Sequence, residues 1–339
     1  MKKILIGLCV AAVVIAVIAF VLVNRWANTP YGKLDYKVAV LLKVFEWTAG
    51  EKAISEVSPA ELREWYETRP QREGVALPNV EDRSIPGPQG QIPIRIYTPE
   101  GSGKRSVVVF YHGGGWVIGS IDTHDNVTRY LAKASGAIVV SVDYRLAPEN
   151  PFPAAADDAY AALQWVAENA ESLGGDPGRI TVAGDSAGGN LSAVVSLRSR
   201  DRNGPKIQCQ ALIYPATNLA SLDTESHHLF ATGFFLTREG MESFISYYVP
   251  EKQDRLDPYA SPLLERDHSN LPPAIVITAQ FDPLRDEGEA YAAKLRNAGV
   301  PVELTRYEGM IHGFVSFLDI VSQGRDALDQ IAARVNQTN

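Results

Sequence analysis

The amino-acid sequence predicts an α/β domain built on a doubly wound, mostly parallel sheet. Three observations carry this reading. Short runs rich in valine and isoleucine, of the kind that strands buried on both faces require, recur along the chain. Helix-like stretches separate them, and strand–helix alternation of this length implies helices on both faces of one sheet. At 339 residues, 45% of them hydrophobic, the chain can bury one large core and carry a small accessory element.

Taken in order, the expected strands are 92–97, 107–111, 137–142, 180–183, 210–214, 274–278 and 302–307. The clearest helices between them are 155–171, 190–200 and 288–298, with an amphipathic helix at 325–335 closing the chain. Proline and glycine cluster from Pro78 to Gly90 and read as loop. Two helices precede any strand. One, over 34–47, repeats apolar residues at Leu34, Val38, Leu41, Leu42 and Phe45; the other starts at the capping box Ser58-Pro59-Ala60-Glu61 and stops near Arg69, before Pro70. The stretch 218–258 interrupts the alternation with aromatic residues and a helix from Arg238 to Val249, as an inserted lid would.

The N-terminus has a different character. Lys2 and Lys3 precede an apolar run from Ile4 to Val23, closed by Asn24 and Arg25. About twenty residues at 1.5 Å each match a hydrocarbon core of roughly 30 Å. Val23-Asn24-Arg25-Trp26-Ala27 fits a signal-peptidase site poorly, so an uncleaved anchor is preferred over a cleaved secretory signal. A buried soluble helix is the third reading. The flanking lysines place the following domain outside the cytoplasm by the positive-inside rule, with secretion after cleavage as the alternative. The expected organisation is a membrane segment at 1–30, accessory helices at 31–78 and a catalytic domain at 79–339. A formal charge of −8 argues against a nucleic-acid partner, and two cysteines, Cys9 and Cys209, supply neither a disulfide framework nor zinc spacing.

Four motifs carry chemistry. Gly184-Asp185-Ser186-Ala187-Gly188 lies between an expected strand and an expected helix, the setting of a nucleophile elbow that lifts a serine oxygen above the sheet. His112-Gly113-Gly114-Gly115-Trp116 follows the strand 107–111, and its glycines let backbone N–H groups converge on a substrate oxygen. Ala187 is the expected companion donor. A phosphate cradle is the competing reading of the glycine run, but neither nucleotide-binding fingerprint is present. Asp282 follows the strand 274–278 and precedes Pro283, which keeps it in the loop beyond the strand end. Asp286 competes for the acid role but reads better as a helix N-terminal residue. His312 follows the last strand, and the order Ser186, Asp282, His312 fits a nucleophile–acid–base set. Of the other histidines, His112 is expected to brace its loop, His124 and His268 to lie on the surface, and His227 and His228 to be poor metal ligands. Trp116, Tyr214, Phe234 and Phe235 are candidates for an apolar substrate pocket, with ordinary core packing as the alternative.

HGGGW at 112–116, DYRLAPE at 143–149, GDSAGGN at 184–190, DPLRDEG at 282–288 and HGF at 312–314 together resemble the hormone-sensitive-lipase group of esterases. The resemblance runs from about Val80 to the C-terminus. It implies the α/β-hydrolase fold: an eight-stranded, mostly parallel sheet with a helical cap built from N-terminal helices and the insertion. It also implies a triad of Ser186, Asp282 and His312 and an oxyanion hole from Ala187 with Gly113, Gly114 or Gly115. An N-terminal membrane segment before this domain resembles the arylacetamide deacetylase arrangement. In DYRLAPE, Arg145 and Glu149 are expected to pair beneath the site, with Pro148 shaping the loop.

The expected activity is hydrolysis of small-molecule carboxylic esters with short to medium acyl chains through an acyl-enzyme, with no metal or organic cofactor called for. An aryl amidase or deacetylase would share every motif. A non-catalytic receptor on this fold, as the plant gibberellin receptors are, would lack the triad histidine.

Overall fold

In the computed structural model, residues 2–49, 57–68 and 74–337 are described. Eight strands form one sheet in the order β10-β9-β8-β7-β5-β6-β4-β3. The strands are β3 (Asn79–Gly87), β4 (Gly90–Thr98), β5 (Arg105–Tyr111), β6 (Ile138–Val142), β7 (Gly175–Asp185), β8 (Cys209–Ile213), β9 (Ala274–Phe281) and β10 (Val302–Ile311). From β6 through β10 every neighbouring pair is parallel, while β4 joins β6 and β3 joins β4 antiparallel.

The parallel strands read as unbroken apolar runs because helices cover both faces. Val107 and Val109 pack with α5 (Ala154–Asn169) and α6 (Ala187–Asp201), while Val108 and Phe110 pack on the opposite face with α4 (Asp125–Ser135) and α10 (Ser322–Val335). Further along the sheet, Leu212 and Val276 pack with α9 (Arg285–Asn297). Two elements depart from the sequence expectation. The segment read as a Pro/Gly loop is strand β3, whose proline is tolerated because β3 is the sheet's edge, where Pro86 needs no ladder N–H. Helix α4 has no expected counterpart, since its apolar face amounts to little more than Val127, Leu131 and Ala132.

The chain order reverses between β5 and β7, and at such a switch point the loops leaving the carboxyl ends of the two strands diverge to leave a crevice. Tyr111 pairs with Gly184, so the 112–116 loop and Ser186 leave the sheet side by side. On the far side Phe281 pairs with Ile311 after a register shift in β10, which brings Asp282 and His312 out together.

Helix α1 (Lys2–Ala27) is continuous over 26 residues, and its side chains Ile6, Leu8, Val13, Ile15 and Phe20 are each more than half exposed. Among the described residues no helix is long and apolar enough to cross a membrane. A small hairpin, β1 (Asn28–Thr29) with β2 (Gly32–Lys33), leads to α2 (Tyr36–Ala49), and the Asp35 N–H donates to Gly309 O of β10 at 3.1 Å.

Helix α3 (Pro59–Glu67) starts on the expected capping box, with Ser58 and Glu61 each bonding the other's backbone N–H. Its expected end at Arg69 and Pro70 lies outside the described residues. Arg63 on α3 donates to Val117 O and Ala147 O, both at 2.7 Å, and pairs with Glu149 at 2.6 Å. That overturns the expected Arg145–Glu149 pair: Arg145 instead forks onto Asp158 of α5, with both contacts at 2.7 Å. The buried Asp158 carboxylate offers a bidentate partner where Glu149 faces the accessory helix. The insertion contributes α7 (Glu225–Leu229) and α8 (Arg238–Tyr248), and Phe235 between them packs against Phe45 of α2 with ring centroids 5.3 Å apart.

Candidate active site

Ser186 sits at the tip of the turn between β7 and α6 with φ 55° and ψ −117°, a conformation that L-residues rarely adopt. The turn exists only because its glycines permit contact: a Cβ on Gly188 would lie 1.8 Å from Tyr111 O. The Ser186 N–H donates to Ile213 O at 2.8 Å, which fixes the strained residue against β8. Its Oγ lies 2.9 Å from His312 Nε2, and His312 Nδ1 lies 2.8 Å from Asp282 Oδ2. Asp282 is fully buried, and its second oxygen accepts the Leu284 N–H at 2.8 Å. The structure thus brings together the three side chains picked from the sequence, from positions 186, 282 and 312.

The expected oxyanion donors divide. The Gly113 N–H donates to Asp185 Oδ1 at 2.9 Å, so it does not face the serine side of the loop. A buried carboxylate must find donors, and the first free amide of the glycine run supplies one. Gly114 and Gly115 N–H groups make no hydrogen bond among the described residues, and the Ala187 N–H opens α6, where helices have no intrahelical acceptor. Gly114 has φ +120°, and a Cβ there would meet Ile118 O at 2.1 Å. The free donors are therefore Gly114, Gly115 and Ala187.

Asp185 is the hub beneath this loop. Besides Gly113 it faces His124 Nε2 at 3.3 Å and accepts from the Tyr214 hydroxyl at 3.5 Å. Burial alone would lift its carboxyl, but its contact with His124, foremost, outweighs burial and holds it below the ordinary carboxylate range. His112 braces the loop as expected: it is fully buried, stacks on Tyr144 at 4.3 Å, and sits 2.8 Å from Gly113 O through Nδ1. Burial, with His124 nearby, pushes it down to about 3, so it is a neutral imidazole.

Comparison with known proteins identifies the fold family. A family model described as alpha/beta hydrolase fold matches residues 108–316. The chain belongs to the α/β-hydrolases, in their hormone-sensitive-lipase-like branch. This hydrolase is similar to the Mycobacterium tuberculosis carboxylesterase NlhH, 45% identical over 87% of this chain and 92% of that one. It is also similar to the carboxylic ester hydrolase LipN of the same organism, 48% identical over 71% of this chain and 66% of LipN. Among solved structures, an esterase from Pyrobaculum calidifontis superposes with a TM-score of 0.81 at 46% identity, covering 88% of this chain and 97% of that one.

The four aromatic candidates in this hydrolase do not share one role. Trp116 is fully buried and stacks on Tyr248 at 4.6 Å, so it is core rather than pocket. Phe234 stacks on Phe281 at 5.3 Å beneath the sheet edge and is also core. Tyr214 backs His312, with ring centroids 4.6 Å apart. Phe235 lies against the turn that follows His312, since a Cβ on Gly313 would lie 3.2 Å from its ring. Phe244 went unnoticed in the sequence. Its ring lies 2.4 Å from where a Gly115 Cβ would stand, and its spacing from Met241, Ile245 and Tyr248 marked a helix face without naming what it covers.

The histidines expected at the surface are corrected: His124 contacts Asp185, and His268 is buried with Nε2 3.2 Å from Pro262 O. His227 is also buried, with Nε2 3.6 Å from Glu287 Oε2. Glu287 Oε1 accepts the N–H groups of Thr217 and Asn218 at 2.5 and 3.1 Å. Burial lifts Glu287 to about 8 against the pull of those two donors, with Asp282 and Asp286 adding to the rise. Its proton is held more tightly in the folded chain than in the unfolded one. That stability is fully present below the ordinary carboxyl range and is lost as pH climbs through about 8. Replacing Glu287 by Gln keeps an acceptor for both N–H groups and removes the titration. We predict that Glu287→Gln keeps the melting temperature nearly level from about pH 6 to about pH 9, where the wild type falls by about 5 °C. Parallel curves for the two proteins would contradict this.

Proposed function

We propose that this hydrolase is a serine carboxylesterase in which Ser186 is the nucleophile, His312 the general base and Asp282 the acid that orients it. The observation that carries the reading is the unbroken relay from Ser186 Oγ through His312 to buried Asp282, at 2.9 and 2.8 Å. NlhH and LipN, which share 45% and 48% identity with this chain, bear the names of ester hydrolases, which supports carboxylic esters as the substrate class.

The chemistry follows from the atoms in reach. Ser186 Oγ attacks the ester carbonyl carbon as His312 Nε2 removes its proton. The carbonyl oxygen gains negative charge and is met by free amides from Gly114, Gly115 and Ala187, with the N-terminus of α6 adding its positive end. Asp282 holds the imidazole with Nε2 toward the serine and stabilises the imidazolium. His312 then returns the proton to the leaving alcohol, and a water deprotonated by the same nitrogen releases the acid. Phe235, Tyr214 and Phe244 near the triad favour short to medium acyl groups. Helices α2 and α3 with the insertion form the cap: Arg63 joins α3 to the catalytic domain, and Phe45 joins α2 to Phe235 of the insertion.

On p-nitrophenyl esters from acetate to dodecanoate, we expect the highest kcat/KM at acetate to hexanoate. Ser186→Ala should abolish turnover of all of them, and His312→Asn should lower kcat by at least about 10³-fold. Retained turnover in Ser186→Ala, or a maximum at dodecanoate, would overturn the assignment of nucleophile or of acyl length respectively.

We further read α1 as a membrane anchor with the catalytic domain outside the cytoplasm. Support comes from its exposed apolar side chains and the lysines that precede them. The full chain should stay in the membrane pellet after carbonate extraction, and a chain lacking 2–27 should not. Release of the full chain by carbonate would refute the anchor.

A further inference from the structure

The loop that carries Asp282 is not held by the sheet alone. Beyond Phe281 the backbone leaves β9, and Pro283 has no N–H with which to tie it down. What holds the loop from outside is the insertion. Ser226, on the short helix α7, is fully buried, and its hydroxyl donates to Pro283 O at 2.6 Å. The same oxygen accepts the Asp286 N–H at 3.2 Å, and the Ser226 N–H donates to Asp286 Oδ2 at 2.7 Å. One residue thus bonds the loop on either side of Leu284, whose N–H in turn holds Asp282 Oδ1 at 2.8 Å.

We propose that Ser226 is a positioning residue for catalysis: from the insertion it grips the loop around Asp282 and so sets the aim of the acid and, through it, of His312. This rests on the reading of Asp282 as the triad acid.

The surrounding polar groups are arranged to keep that grip in one orientation. A hydroxyl has one proton and two lone pairs. The Ser226 proton goes to Pro283 O, one lone pair takes the Asp286 N–H, and Thr224 Oγ1 lies 3.1 Å away to fill the other. Thr224 Oγ1 is in turn 2.7 Å from His227 Nδ1, and His227 Nε2 faces Glu287 Oε2. At 3.6 Å these two atoms are beyond hydrogen-bond reach, and neither has a hydrogen-bond partner among the described residues. With the Ser226 proton on Pro283 O, the Thr224 hydroxyl donates to Ser226 Oγ and its own oxygen accepts from His227 Nδ1, which holds the serine in one orientation. Titratable and charged neighbours on the packed elements are Asp282, Asp286 and Arg285 on the acid side, and His228 and Arg238 on the insertion side.

The test compares full-length Ser226→Ala, Asp286→Ala, Asp282→Asn and, as a buried-serine control, Ser196→Ala on p-nitrophenyl acetate across pH. Ser196 is as buried as Ser226 and, among the described residues, its side chain bonds only Ser192 O within α6. A loosened Asp282 supports the imidazolium less, so Ser226→Ala should lower kcat about tenfold with KM within about twofold. It should also move the acid limb of kcat/KM to lower pH by about half a unit. Asp286→Ala, at a position whose side chain is 26% exposed, should shift both in the same direction by about threefold in kcat, and it decides the matter if Ser226→Ala does not fold. Ser196→Ala should lower the melting temperature and leave the profile unchanged. Wild-type kcat and an unmoved limb in Asp286→Ala and in any folded Ser226→Ala, with Asp282→Asn impaired, would refute the positioning role alone. Wild-type kcat in Asp282→Asn would instead remove the triad reading on which it rests.

Discussion

The register of the parallel sheet at its carboxyl edge is the constraint on which everything else here depends. Side chains separated by as many as 126 positions in the chain meet only because Tyr111 pairs with Gly184 and Phe281 with Ile311. A one-residue slip in either pair would turn Ser186 or His312 to the other face of the sheet. The apolar runs enforce the register from both sides, because alternate residues of each strand belong to different, fully buried helix layers. Stability and site geometry are in this sense one requirement.

Above that edge the problem becomes electrostatic. Asp185 and Asp282 are both buried beside the reacting serine, and a buried charge persists only with partners. Asp282 has His312 and the Leu284 amide; Asp185 has His124, the Gly113 amide and the Tyr214 hydroxyl. The second set has a structural consequence. By taking the Gly113 amide, Asp185 pins one end of the glycine loop while the amides of Gly114 and Gly115 stay free. The neutral His112, stacked on Tyr144, stiffens the same turn without adding a second charge.

What could be read from the chain followed how local each signal is. Ser186, Asp282 and His312 each stand at a strand end flagged by glycine or proline, so their positions were legible before any coordinates. Strand β3 was not, because Pro86 and the glycines at 87 and 90 look the same in a loop and in an edge hairpin. The partners of Arg145, His124 and His227 were not legible either, since Asp158, Asp185 and Glu287 are neighbours only after the fold forms. Composition marked Trp116, Phe234 and Phe235 alike as aromatic, and only packing separates the two that fill the core from the one that nears the triad.

The central claim is that Ser186 is activated by its surroundings, which covalent labelling tests most directly. A fluorophosphonate probe, applied to the native chain and followed by peptide mapping, should modify the peptide containing Ser186 and no other serine. The label should disappear when the chain is unfolded first, because an isolated serine lacks the His312 base. Modification elsewhere, or none at Ser186 in folded protein, would contradict the account.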